Sequence, residues 1–402
     1  MRTFEEARDL ILASVAPLGR ERVPVTSASG RVLSEDLRAP RDMPQWDNSA
    51  MDGYAVRSAD CGAPVTLKLT GYQAAGDAVS PKVTRGCAVR IMTGSPVPEG
   101  CDAVVPLEET EAGVGVVTIL SPVKPRAHIR FRGEDVKAGD IVIPAGTPLR
   151  PPEISMLASF GSAFVPVYRK ARVAVLSTGD ELVELGETLS PGKIINSNTV
   201  SLAAAIEEAG AVPVLLGIAV DDKEILREKL REGLAADALI TSAGVSAGDR
   251  DFVREVLAEL SVRQVFWGVD IKPGRPTAFG VKEGKPVFSL PGNPVSSLVT
   301  FEVFVRPALR KMMGHPDPLK PTVKATLAEP IRKKAGKVHF FRVRIAVKDG
   351  EYVAWTSGDQ NTGILRTMVL ADGIAVLPAD KTVFEAGEKV DVCLLYQSAT
   401  PK

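Results

Sequence analysis

From residue 171 to about 317 the sequence alternates short apolar runs with helical periods, and that alternation restricts the fold more than any other feature. ARVAVL reads as a buried strand, and NSNTVSLAAAIEEAG as a helix with an asparagine cap and Gly210 at its end. VPVLLGIAV is a second strand. DDKEILREKLREGLAA is a helix with Asp221 as its cap and Glu224 completing a capping box, and ADALITS is a third strand. RDFVREVLAEL is helical and VRQVFWGV a strand. FSL leads through PGNP into a long helix to about Met313, with Asn293 placed to cap and Pro294 suited to the first turn. This order predicts a doubly wound parallel sheet with helices on both faces.

The flanking text is of a different kind. Thr3 and Glu6 form a capping-box pattern that opens a helix. Residues 20–168 carry β-branched runs cut by proline and glycine (VTLKLTGY, AVRIMTG, AVVPLEET, VGVVTIL, DIVIPAGTPL), with PPEISMLASF a brief helix entered through proline. After HPDPLKP the strands return in VKATLAEP, VHFFRVRI, YVAWTS, GIAVLP and VDVCLLY. The expected architecture is multidomain α/β plus β. It comprises a discontinuous N-terminal domain (1–38 with 144–169), a β-rich domain (39–143), the α/β domain (170–317) and a C-terminal β-barrel domain (318–402). A chain of 402 residues, at roughly 150 per domain, accommodates such a division.

Composition removes several function classes. Lysine plus arginine and aspartate plus glutamate both number 49, so no net field favours nucleic acid or an anionic membrane. No apolar run reaches the roughly 18 residues of a membrane span, and MRTFEEARDLILASVAP is acidic and amphipathic. The expectation is a cytoplasmic protein. Cys61, Cys87, Cys101 and Cys393 are scattered, as are His128, His315 and His339, so neither a disulfide framework nor a zinc site is indicated and the cysteines read as core residues.

In an open parallel sheet, ligands bind beyond the carboxyl ends of the strands. Four such ends are legible here. The first leads into Ser177, Thr178, Gly179, Asp180 and Glu181; the second into Asp221 and Asp222. The third opens Ala243 to Asp251, including Gly244, Ser246, Gly248 and Asp249, and the fourth opens Pro291, Gly292, Asn293 and Pro294. Small residues let backbone N–H groups approach an anion, and each loop opens a helix whose N-terminus favours negative charge. The carboxylates in these loops would repel a phosphate unless a hard cation intervened, which points to a magnesium-bridged phosphoester. Asp221 and Asp249 also read as helix caps or surface groups. Elsewhere, an extended KPRAHIRFRGED would put Lys124, Arg126, His128, Arg130 and Arg132 on one face, either solvated or binding an anion.

The motifs DNSAMDGYAV, RIMTGSPVPEGCDAVV, FRGEDV, STGDEL, SAGVSAGDRDF, IKPGRP and LPGNPVSS, in this order, resemble the molybdopterin molybdenumtransferases, the MoeA family that includes the gephyrin E-domain. The resemblance covers essentially the whole chain. It implies a homodimer that inserts molybdate into adenylylated molybdopterin in a Mg2+-dependent reaction and releases AMP, with possible contact to the upstream adenylyltransferase. By motif, Asp52, Thr93, Asp135, Glu181, Asp221 and Asp251 match the family's active-site positions, and Glu181, Asp221 and Asp251 the metal-binding ones. Lys272, Ser296, Arg342 and Thr362 match the molybdate region. The phosphate-bearing substrate is expected at the four strand ends.

Gly268 stands where family members often carry lysine, and Thr362 where they often carry serine. The first departure removes a charge near the expected anion site; the second keeps a hydroxyl. Two other functions fit the same fold: a catalytically silent scaffold or binding protein, as in the gephyrin relatives, and a molybdopterin adenylyltransferase. Retention of the carboxylates argues against the scaffold, and retention of both β-rich parts against the adenylyltransferase.

Overall fold

The computed structural model describes residues 1–77, 82–244 and 252–395. The chain forms two compact units: one of residues 1–34, 146–151 and 164–402, the other of 35–145 and 152–163.

In the first unit the opening helix is Phe4–Ala13. Thr3 Oγ1 accepts the Glu6 N–H and the Glu6 carboxylate accepts the Thr3 N–H, the capping box its sequence spells. Its buried stripe of Phe4, Ala7 and Ile11 packs into the core, where the Phe4 ring meets Phe304 and Phe340.

The central sheet has six strands in the order Val212–Ala219, Arg172–Thr178, Ala238–Ser242, Lys285–Leu290, Ala278–Lys282 and Arg263–Trp267. The first four are mutually parallel. Side chains alternate between two cores. Val173, Val175 and Ile240 join the helices Ser197–Glu208 and Pro294–Thr300 on one face. Ala174, Leu176 and Leu239 meet Lys223–Gly233 and Phe252–Glu259 on the other. The sheet is thus doubly wound. It is not wholly parallel, as the alternation alone suggested: Ala278–Lys282 runs antiparallel to both neighbours. Glu283 and Gly284, at φ +52° and +77°, make the tight turn of that hairpin, both positions requiring the left-handed region.

Local corrections follow from hydrogen bonding. Asp222, not Asp221, caps the Lys223–Gly233 helix, its Oδ1 accepting from Glu224 and Ile225. The long helix breaks into Pro294–Thr300, a π-helical turn Phe301–Val305, and Arg306–Met312. Pro307 explains the break, because it lacks the N–H an α-helical register needs and its ring crowds the preceding turn.

Beyond this region five strands close a barrel: Val338–Lys348, Glu351–Thr356, Thr322–Leu327, Lys389–Leu394 and Gly373–Leu377, the last pairing back with the first. The two-residue strand Ile271–Lys272 adds to it, parallel to Val338 and His339. Val343, Ile345, Ala354 and Phe384 are among the residues of its separate core.

The second unit is built on a six-stranded sheet in the order Ala103–Pro106, Gly53–Val56, Cys87–Ile91, Val65–Gln73, Val116–Ile119 and Thr110–Gly113. Gly53 is required by close approach, since a Cβ there would lie 2.0 Å from the Val105 carbonyl oxygen. The basic alternation does not form one extended face. Only Ile129–Arg130 is strand, and Arg126 and His128 turn the chain at φ +70° and +50°. Among the described residues no helix is long and apolar enough to cross a membrane.

Candidate functional site

The first unit's sheet changes winding direction between Arg172–Thr178 and Ala238–Ser242, the strands whose carboxyl ends open the loops at Gly179 and Ala243. At such a switch point the two loops diverge and leave a crevice. A cleft of about 120 Å³ lies there, lined by residues including Glu181, Ile194, Asn198, Ser242, Gly292 and Pro294. The loops after Thr178, Ala219, Ser242 and Leu290 therefore share one edge, as the strand order required. Ser246, Gly248 and Asp251 lie outside the described residues.

Each loop is held by a specific contact. Gly179, at φ +137°, donates its N–H to the Ala219 carbonyl, and a Cβ on it would lie 2.3 Å from Glu181 Oε2, so glycine lets the Glu181 carboxylate fold back over the turn. Asp180 Oδ1 accepts the Asp221 N–H at 2.9 Å, which ties the first loop to the second. Ser177 and Thr178 are buried within the strand, and the Ser177 hydroxyl bonds Thr199 Oγ1 at 2.8 Å, so this serine braces the helix start. Ala243 and Gly244 adopt φ +74° and +72°; a Cβ on Gly244 would strike Val253 Cγ2 at 2.3 Å. The Gly292 carbonyl accepts from Asn198 Nδ2 at 2.7 Å. Pro291 is buried, and Pro294 begins the next helix.

The expected oxyanion group is carried by segments that touch. Exposed Lys272 sits on the strand added to the barrel, and a Cβ on Gly274 would come within 2.3 Å of Thr300 Cγ2, so its loop packs closely on the helix bearing Ser296. Asn293 does not cap that helix with its side chain. Its Nδ2 donates instead to Thr362 Oγ1 at 3.0 Å, joining the PGNP turn to the barrel loop. Ser296 is buried. Arg342, matched by motif to the molybdate region, is only 1% exposed. Its Nε donates to Thr367 Oγ1 and its Nη2 to the carbonyls of Asp359 and Asn361. His339, beside Lys272 in register, is pushed down to about 4 by burial, with Lys333, Lys272 and Lys337 adding to the effect, so it is neutral near pH 7.

In the second unit Asp52 and Thr93 come together. Asp52 Oδ1 accepts both the Thr93 N–H at 2.7 Å and its hydroxyl at 2.8 Å, which holds the carboxyl below its ordinary range, the backbone bond contributing most. Thr93→Val is expected to move the Asp52 titration midpoint part of the way back up, because the backbone bond survives. Carbon-detected NMR titration of the carboxyl reads this, and an unmoved midpoint would exclude the hydroxyl as a partner. Asp135 is exposed in a turn whose N–H bonds the Met43 carbonyl. Cys101 and Cys393 are pushed up to about 12 and about 11 by burial, which suits core thiols and not nucleophiles.

Asn196, Asn198 and Ser242 were missed as site residues in the sequence. A cluster of two asparagines, a serine and a threonine at one helix start was the available signal, but a single cap explains only Asn196.

Three family models match: the MoeA N-terminal region (domain I and II) over residues 2–161, a probable molybdopterin binding domain over 174–311, and the MoeA C-terminal region (domain IV) over 324–395. Among curated proteins, molybdopterin molybdenumtransferase 2 of Mycobacterium tuberculosis H37Rv is 39% identical over 403 residues, 98% of this chain and 99% of that protein. Molybdopterin molybdenumtransferase of Haemophilus influenzae is 38% identical over 398 residues, covering 98% of each. The crystal structure of the molybdopterin biosynthesis MoeA protein of Pyrococcus horikoshii OT3 superposes with a TM-score of 0.84 at 32% identity, covering 98% of this chain and all of that one (100%).

Proposed function

Because this chain belongs to the molybdopterin molybdenumtransferase (MoeA) family, we propose that it inserts molybdate into adenylylated molybdopterin in a Mg2+-dependent reaction that hydrolyses the pyrophosphate link and releases AMP. Its place in molybdenum cofactor biosynthesis and its class, a transferase, follow from the family. The observation that carries the finer reading is the set of four loops on one sheet edge, with the first two tied through Asp180 and the Asp221 N–H.

The cation fits the residues present. Mg2+ takes one or two carboxylates together with phosphate oxygens and water. Exposed Glu181 and Asp221 stand on the two tied loops, and either could serve; Asp251 lies outside the described residues. Among the described residues no three acidic, histidine or cysteine side chains gather as a metal-holding group. When bound, the ion would offset the charge of the phosphate oxygens.

The protein's own groups do the rest. Backbone N–H groups of the Gly179, Gly244 and Gly292 loops receive the phosphate-bearing part, while Asp52, Thr93 and Asp135 remain the proposed catalytic groups of the second unit. Lys272, Ser296 and Thr362 receive the molybdate dianion, with Lys272 supplying charge and the hydroxyls directional bonds. We further infer a homodimer, a cytoplasmic location and contact with the enzyme that adenylylates the pterin.

The deciding experiment supplies adenylylated molybdopterin, Mg2+ and molybdate to the full chain and measures AMP. Release that requires all three is expected, and release that ignores molybdate would point to simple hydrolysis.

A further inference from the structure

The helix Phe252–Glu259 carries its charges on two flanks. Glu255 and Glu259 pair with Lys223 and Arg227 of the neighbouring helix, so the acidic flank is neutralised where the two helices meet. Arg254 reaches the other way, to the edge strand of the sheet. Its Nε donates to Gln264 Oε1 at 3.0 Å, and its guanidinium carbon lies over the Trp267 ring, 4.9 Å from the centroid. These two contacts hold the exposed guanidinium in one orientation. Among the described residues no carboxylate pairs with it, and its two Nη groups have no hydrogen-bond partner.

The strand face beside this arginine is built from small residues. Trp267 stands opposite Ala278 and Ala278 opposite Ser289, while Gln264 stands opposite Gly280 and Gly280 opposite Val287. Gly280 is required by close packing, since a Cβ on it would lie 2.8 Å from Val262 Cγ1. The short side chains leave a hollow of about 210 Å³ between the helix and the hairpin. Leu257, Val262 and Val287 give it apolar walls, and Arg254, Gln264 and Trp267, all at least partly exposed, stand at its rim. Those three walls belong to the core on one face of the sheet, whereas the cleft at the carboxyl edge is lined by Asn198 and Pro294, from helices on the other face. The hollow is therefore separate from the cleft.

Its size and chemistry restrict the occupant. An apolar cavity of about 150 Å³ holds benzene, and drug-sized ligands occupy roughly 300–1,000 Å³, so one ring with a short substituent fits. The Trp267 wall favours a ring over an alkyl chain through offset or edge contact. With Nε already bonded, the two Nη groups remain as a planar pair of donors, which matches the two oxygens of a carboxylate. A single guanidinium neutralises a monoanion but only half of a phosphate dianion. We propose that this hollow is a second ligand site, which binds a small aromatic carboxylate with its ring on the apolar floor and its carboxylate on Arg254.

The test titrates the full chain with phenylacetate, its neutral counterpart phenylacetamide, and acetate, which lacks the ring. Calorimetry reads affinity, and the NMR signal of the Trp267 indole N–H, identified by its loss in Trp267→Phe, reads location. Phenylacetate is expected to shift that signal and to bind about tenfold more tightly than the amide, the difference between a charge-assisted and a neutral hydrogen bond. Acetate should leave the signal unmoved. In Arg254→Gln the preference for the carboxylate should fall below about twofold while the amide binds as before. Because the three ligands are compared on the unaltered protein, the proposal stays exposed even if the variant misfolds. No measurable binding of phenylacetate, binding that leaves the Trp267 signal in place, or equal affinities for acid and amide would each overturn it. A preference that persists in a folded Arg254→Gln would do the same, as would displacement of phenylacetate by AMP, which would make the hollow part of the substrate site.

Discussion

Lys272→Ala is expected to raise the molybdate concentration needed for half-maximal turnover by about tenfold to a hundredfold, with a smaller effect on pterin-substrate binding. A hydrogen bond to a charged group contributes about 1.5–3 kcal/mol, and each 1.4 kcal/mol is roughly a factor of ten. The substitution should leave the fold intact, because Lys272 is exposed and its backbone is held by pairing with Val338 and His339 and by the packing of Gly274 on Thr300. The buried His339 beside it is neutral near pH 7, so it cannot replace the lost charge. Lys272→Arg should recover most of the affinity. The gap between the unaltered protein and Lys272→Ala should narrow as salt is added, since screening weakens in the former what the latter already lacks. An unchanged molybdate dependence in Lys272→Ala would remove Lys272 from the site.

The strand ends were legible because buried parallel strands read as continuous apolar runs, and a chain that alternates them with helices places all their carboxyl ends on one edge. The hairpin Ala278–Lys282 with Lys285–Leu290 was also written in the text, in the pair Glu283-Gly284, but the expected strand took in only FSL before PGNP. Asn198 could not have been read from sequence. Its amide bridges Ser242 Oγ and the Gly292 carbonyl, 94 residues away, partners that only the folded sheet brings to it. The same limit applies to the capping asparagines. Asn196 caps with its side chain, while Asn293 gives its amide to Thr362, a barrel residue 69 positions later.

Arg342→Leu is expected to destabilise the protein by about 2–4 kcal/mol, because buried acceptors lose their donor and each such loss costs about 1–3 kcal/mol with incomplete additivity. Sequence could not separate Arg342 from Arg344. Strand periodicity gives them the same face, yet Arg344 is exposed over the Trp355 ring at 5.7 Å, whereas Arg342 lies under the loop it binds. Burial lowers the Arg342 pKa and the nearby Asp359 raises it, but a guanidinium keeps its charge at any pH of interest. The fork spans Thr367 Oγ1 and the carbonyls of Asp359 and Asn361, and so fixes the segment that presents Thr362 to Asn293. Arg342→Lys should therefore recover less than half of the lost stability, since a compact ammonium cannot match a planar fork with several donors. Faster hydrogen exchange at the amides of Ser357, Asn361 and Gly363 should accompany both substitutions, because these amides are bonded within the loop or to the Arg342 carbonyl. Exchange and stability that match the unaltered protein, with only the molybdate requirement raised, would instead make Arg342 a direct oxyanion contact.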